Sequence, residues 1–220
     1  MVTTDSVEAL GHDYETITVE ADSSTNNAGS IVVKCRRCGD IQSNTEIAYA
    51  QAATLSVSSY TYNGSRKKPT VTIKDSNGQI IDKSYYTVTY SNNLNVGKAT
   101  AKIKMKAPYS GVFTKQFTIK PQPTKITKIA SLTKGFRVYW KKVTVKTTGY
   151  QLQYSTNRNF TDSSTKTVST TKGFSSKQIK KLQSGKRYYV RIRTYTKVKS
   201  NGSTINIYSS WSPAKNVKPR

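Results

Sequence analysis

Lys98-Ala99-Thr100-Ala101-Lys102-Ile103-Lys104-Met105-Lys106 places a small or apolar residue at every odd position and Lys or Thr at every even one. A period of two sends the two sets to opposite faces of an extended strand, so one face lies in a core and the other in water. Clean alternation of this kind belongs to antiparallel sheets, because strands of parallel sheets are buried on both faces. Working outward, Val71 and Ile73 alternate with polar neighbours, and Tyr86, Val88 and Tyr90 are separated by Thr87 and Thr89. Further on, Phe136, Val138 and Trp140 alternate with Arg137, Tyr139 and Lys141, and Tyr150, Leu152 and Tyr154 with Gln151 and Gln153. Tyr188, Val190, Ile192 and Thr194 then face inward, while Tyr189, Arg191, Arg193 and Tyr195 face outward. Asn63-Gly64, Asn77-Gly78, Asn92-Asn93 and Asn201-Gly202 are turn signals between these runs. Helix signals are nearly absent. The expected fold is all-β: two antiparallel β-sandwiches in tandem after a small N-terminal β module.

The charge supports a division into three. Residues 1–50 carry 8 acids and 3 bases, 51–121 carry 2 and 11, and 122–220 carry 1 and 22, within a chain of 220 residues and net charge +25. The expected modules are 1–50, 51–121 and 124–220, with Pro121-Gln122-Pro123 as a stiff linker and accessible connectors near 48–53 and 121–124. The first fifty residues hold too few apolar side chains to stand alone. Met1 to Asp5 lack the basic and apolar regions of a secretory leader, which reads as a mature or excised piece of a longer protein. No stretch approaches the ~20 apolar residues that a membrane-spanning helix needs.

Residues 125–218 resemble a fibronectin type III domain. The carriers are Trp140 on the second strand, a Tyr-rich third strand, and Leu182 followed six residues later by Tyr188 and Val190-Arg191-Ile192. The resemblance implies a corner in which the Tyr188 hydroxyl bonds backbone upstream, with Ser184 and Gly185 where the family usually has Pro. Tyr208-Ser209-Ser210-Trp211-Ser212 is similar to the Ser-rich, Trp-containing last strand of many members. Residues 54–120 resemble the immunoglobulin-like repeats of surface proteins from Gram-positive anaerobes, through Tyr60-Thr61-Tyr62-Asn63-Gly64, residues 69–74, residues 85–99 and Tyr109-Ser110-Gly111. The first module is similar to a short repeat of the same class of surface proteins, through His12-Asp13-Tyr14, Ala28-Gly29 and Cys35-Arg36-Arg37-Cys38-Gly39. Relatives of that pattern often carry a further Cys ten residues before the pair, where this chain has Thr25.

Few residues are available for chemistry. Two Cys and one His exclude a disulfide framework, several metal sites or a Ser/His/Asp triad with acids to spare. The candidate metal ligands are His12, Cys35 and Cys38, with Asp22, Asp40 or water as the fourth. Alternatively the two thiols are oxidised or free. With Thr25 at the expected ligand position, the expectation is a module with no tightly held metal and a chain with no cofactor. The sandwiches have only Asp75, Asp82 and Asp162 and no His, so general acid/base catalysis lacks its usual pair and no enzyme activity is expected.

The remaining 33 bases face 3 acids, and ordinary surfaces mix the signs. Such a field attracts anionic polymers: cell-wall phosphate polymer, acidic glycan or nucleic acid. No sequence-specific nucleic-acid motif is present. The candidate polyanion-binding residues are Tyr189, Arg191, Arg193 and Tyr195, although an exposed strand face shows the same residue types. The expected function is a non-catalytic extracellular surface or secreted module, acting as spacer and adhesion unit. Anionic wall or host polymers, or a host or neighbouring surface protein, are its expected partners. The competing reading is the ancillary binding region of a secreted cell-wall or glycan-active enzyme whose catalytic domain lies elsewhere.

Overall fold

A computed structural model describes residues 11–161, 163–200 and 202–220. Met1 to Asp5, Asp162 and Asn201, which entered the reading above, lie outside the described residues. The fold is all-β: among the described residues there are nineteen strands and a single short 3-10 turn at Lys83–Tyr85. Among the described residues no helix is long and apolar enough to cross a membrane.

The alternation read from residues 98–106 is the burial observed. Ala99, Ala101, Ile103 and Met105 are buried, while Lys102 and Lys104 are exposed. The chain forms two compact units. One takes the described residues to Ser56 together with Pro69–Tyr90 and Ala101–Lys115; the other takes Val57–Lys68, Ser91–Thr100 and Gln116–Arg220.

In the first unit, Tyr14–Val19, Gly29–Cys35 and Ile41–Ile47 form a three-stranded antiparallel sheet, with Tyr14 opposite Cys35 and Gly29 opposite Ile47. This sheet is thin and wet, for Ile17, Val19 and Ile41 are all exposed. What seats it is backbone pairing. Ala21–Asp22 runs parallel to Tyr109–Ser110, the Ala21 N–H donates to the Pro108 carbonyl at 2.9 Å, and the Ser23 hydroxyl donates to the Ser110 carbonyl at 2.8 Å. Gly111 permits that approach. Its φ is +103° and a Cβ there would stand 1.9 Å from Ser23 Oγ. Ala21 and Ser23, beside this thin sheet, thus donate hydrogen bonds to Pro108 and Ser110. The buried cluster of this unit comprises Ala50, Ala53, Val71, Ile73, Ile81, Tyr86, Ala101, Ile103 and Met105.

In the second unit, residues 126–217 form a β-sandwich. Ile126–Leu132, Gly135–Trp140 and Ser176–Lys180 make one sheet; Lys166–Thr171, Gly149–Ser155, Tyr188–Ser200 and Ser203–Tyr208 make the other, with Lys215–Val217 beside Tyr188 to Val190. Phe136, Val138 and Trp140 from the first meet Tyr150, Leu152, Val190 and Ile192 from the second. Leu182 packs against this core, and the Gln183 N–H donates to the Tyr188 hydroxyl at 3.3 Å, which is the expected corner. Ser184 and Gly185 tie down the end of the chain. The Ser184 hydroxyl donates to the Arg220 carbonyl at 2.9 Å and the Gly185 N–H to the Pro219 carbonyl at 2.8 Å.

Both expected connectors make hydrogen bonds, while Gln51, Ala52, Gln122 and Pro123 within them are exposed. Ala50–Leu55 is a strand paired with Val71–Asp75, with Ala50 and Ala53 buried. The Thr194 hydroxyl holds the Gln122 carbonyl at 2.7 Å, and the Thr124 hydroxyl donates to the Lys141 carbonyl at 2.5 Å. Composition marks these stretches as linkers and does not show the hydrogen bonds they make.

Candidate functional site

The outward face of Tyr188–Ser200 carries the densest arrangement of charge and aromatic surface in the second unit. Gly149–Ser155 is its antiparallel neighbour, and the register sets Gln153 opposite Arg191 and Gln151 opposite Arg193. Each glutamine reads its arginine in a fork: Arg191 Nε and Nη2 donate to Gln153 Oε1 at 2.9 and 2.7 Å, and Arg193 Nε and Nη2 donate to Gln151 Oε1 at 2.8 and 2.6 Å.

Above the glutamines the guanidinium planes alternate with rings. Arg191 Cζ lies 4.2 Å from the Phe160 ring centre and 4.5 Å from that of Trp211. Arg193 Cζ lies 4.1 Å from Trp211 and 3.7 Å from Tyr208. The order is Phe160, Arg191, Trp211, Arg193, Tyr208. Trp211 reaches the centre because residues 209–212 bond the edge of the strand with side chains as well as backbone. The Thr194 N–H donates to Ser209 Oγ and the Ile192 N–H to Ser212 Oγ, both at 3.1 Å. Serines at these two places stand in for a strand's carbonyls and leave the intervening tryptophan to fold over the arginines. Burial among the rings lowers the pKa of both guanidinium groups from the ordinary arginine value.

Of the four residues read as polyanion-binding, Arg191 and Arg193 are thus stacked and hydrogen-bonded. Tyr195 lies beside Tyr208, ring centres 6.2 Å apart, and Tyr189 stands on the same outward face two residues before Arg191. Phe160, Gln151, Gln153 and Trp211 complete the ladder. The available sequence signal was the Gln-x-Gln spacing on one strand matching Arg-x-Arg on another.

His12, Cys35 and Cys38 also come together, in the first unit. Their donor atoms all lie within 4.8 Å of one another, and Cys38 Sγ is 3.3 Å from His12 Nδ1. Cys35 ends a strand and Gly39, at φ +77°, closes the turn that brings Cys38 back. The His12 ring stacks on Tyr14 at 5.2 Å, and the Tyr14 hydroxyl donates to Asp40 Oδ2 at 2.8 Å. Cys35 is buried and its sulfur accepts from backbone N–H groups, that of Cys38 foremost, and from His12, which brings its pKa down to about 6. Both cysteines are free thiols.

The fourth position is the weak point. Asp22 takes the Ser24 N–H, the Ser24 hydroxyl and the Thr25 hydroxyl, at 2.8, 2.7 and 3.1 Å, and Asp40 takes Tyr14. Among the described residues no fourth His, Cys, Asp or Glu joins the set. Three soft donors with thiolate-stabilising N–H bonds suit a zinc-like ion in kind, and fall one short of a closed structural site in number.

The chain matches no known protein family and no curated protein. Among solved structures it is similar to the crystal structure of the chicken CNTN1 FN1-FN3 domains, at 13% identity and a TM-score of 0.37, covering 88% of this chain and 77% of that one.

Proposed function

We propose that the chain is a non-catalytic extracellular module string, at a cell surface or secreted. Its modules 1–50, 51–121 and 124–220 act as spacer and adhesion units, and its basic surface holds anionic wall or host polymers. The observation that carries this reading is the pairing of charges. Among the described residues Arg36 and Glu15, 3.0 Å apart, form the single ion pair, and it lies in the acidic first fifty residues. From residue 51 on, the lysines of strand faces such as Lys102 and Lys104 stand exposed with no carboxylate partner of this kind. Fields of one sign that are not neutralised within the molecule attract counter-charged polymers.

Binding of this kind releases condensed counterions. Affinity for phosphate-rich wall polymer, heparin-like glycan and single-stranded DNA is expected to fall with salt, at a log-log slope of about −0.7 to −0.9 per contact for a nucleic-acid-like polymer. Titration of each polymer at several salt concentrations measures the slope. Absence of binding at low ionic strength would remove the proposal.

The His12, Cys35 and Cys38 set belongs to the same reading as an open three-donor site without a tightly held metal. Protein purified without added metal is expected to carry well under one zinc per chain by elemental analysis. Stoichiometric zinc that disappears in His12→Ala would reverse this.

A further inference from the structure

The ladder occupies the arginines that the sequence singles out, and a second feature of the second unit offers cations exposed to solvent. A groove of about 740 Å³ is lined by Arg66, by residues 92–98, by Thr100 and Gln116, and by Val198 to Ser200. Its volume falls in the range of ~300–1,000 Å³ typical of ligand sites. It holds three exposed cations, Arg66, Lys98 and Lys199, and no acid.

Its floor is held in place. Asn93 is 3% exposed, its Nδ2 donates to the Lys67 carbonyl at 2.8 Å, and its carbonyl accepts the Lys67 N–H at 2.7 Å. Asn93 Oδ1 accepts from Arg66 Nη1 at 3.4 Å, which aims the guanidinium along the groove wall. Asn92, at φ +55°, and Gly97, at φ +150°, bend the loop around it.

The lining chemistry selects among polyanions. Asn92, Asn95 and Gln116 offer amide donors and amide acceptors side by side, and Thr100 and Ser200 add hydroxyls. Sugar hydroxyls, which both donate and accept, pair with every one of these groups. A bare phosphate chain is acceptor-only and engages the amide N–H groups alone, whereas a saccharide engages both ends of each amide. Among the described residues no aromatic ring lines the groove, so it lacks the stacking platform on which single-stranded bases bind. Resting on the polyanion reading above, we infer that this groove is a subsite for a short acidic oligosaccharide. Arg66, Lys98 and Lys199 hold its carboxylate or sulfate groups, and the amides of Asn92, Asn95 and Gln116 hold its hydroxyls.

The test uses the full chain and two defined probes, a heparin-derived hexasaccharide (sulfated) and an oligouronate (carboxylate only). Both are measured by calorimetry near physiological ionic strength, where the Debye length is ~8 Å and the diffuse field is screened. R66Q/K98Q/K199Q is expected to lose about tenfold or more in affinity for at least one probe, and the probe more affected identifies the anionic group. K125Q/K141Q/K177Q, with the same loss of charge elsewhere, is expected to stay within about threefold of the parent. Asn95→Ala with Gln116→Ala leaves the charge unchanged and alters only exposed side chains. It is expected to weaken the saccharide and spare single-stranded DNA. Equal losses in the two charge triples overturn the groove while leaving the polyanion reading intact. Polyphosphate binding to the parent as tightly as the saccharides overturns the saccharide assignment. Failure of the parent to bind any polyanion at low salt overturns the underlying reading instead.

Discussion

Trp140→Ala is expected to destabilise the 126–217 sandwich by about 3–5 kcal/mol, since a large-to-small change in a core loses both burial and packing. Trp140 is 3% exposed and its ring centre lies 5.2 Å from that of Tyr150, on the seam where the two sheets meet. Tyr150 is itself fully buried, and its hydroxyl donates to the Val143 carbonyl at 2.9 Å, so a cavity beside it cannot close by a simple shift of that ring. At ~4–8 °C per kcal/mol for a domain of this size, the thermal midpoint should fall by about 12 °C or more. Among the described residues the indole N–H has no hydrogen-bond partner. Trp140→Phe therefore removes less volume and no such bond, and should cost clearly less than Trp140→Ala. Denaturation of both variants measures the contrast. Unchanged melting of Trp140→Ala would show that the side chain contributes nothing to this core.

Trp211→Ala is the second large effect. Trp211 is the central rung, shared by Arg191 and Arg193, and its removal deletes two of the four cation–ring contacts at once. At ~0.5–2 kcal/mol each, with the loss of packing added, the expected cost is about 2–4 kcal/mol. The arginine pair itself separates stability from binding. R191Q/R193Q removes two charges and the stacking together, so it should lower the melting point and weaken every anionic polymer by a similar factor. R191K/R193K keeps the charge but loses the planar stacking and the forked bonds to Gln151 and Gln153. It should melt lower while binding polymer at low salt nearly as the parent does. A Trp211→Ala chain that melts with the parent would show that the ladder does not hold the sheet.

The strands were legible because their signal is local. Ala99 to Met105, Phe136 to Trp140 and Val190 to Thr194 each announce a buried face by alternation alone, and each buries that face. The corner at Leu182 and Tyr188 was legible through the resemblance to a fibronectin type III domain, whose carriers here lie six residues apart. Charge asymmetry is likewise a property of composition, and it carries the proposal of an anionic partner.

Tertiary structure decided what those faces meet. Alternation says that Arg191 and Arg193 point outward, and it does not say that Gln153, Gln151 and Trp211 meet them there. Those contacts depend on the register of Gly149–Ser155 against Tyr188–Ser200 and on the path of residues 209–212. The same holds for Thr25, which the resemblance to a short surface-protein repeat places at a fourth-ligand position and which the turn at Asp22 to Thr25 commits to Asp22. It holds again for the N-terminal sheet, whose seat at Pro108 to Gly111 lies some ninety residues away in sequence. Period and composition are set by neighbours along the chain, whereas contacts across strands are set by loop closure and register, and no local pattern encodes these.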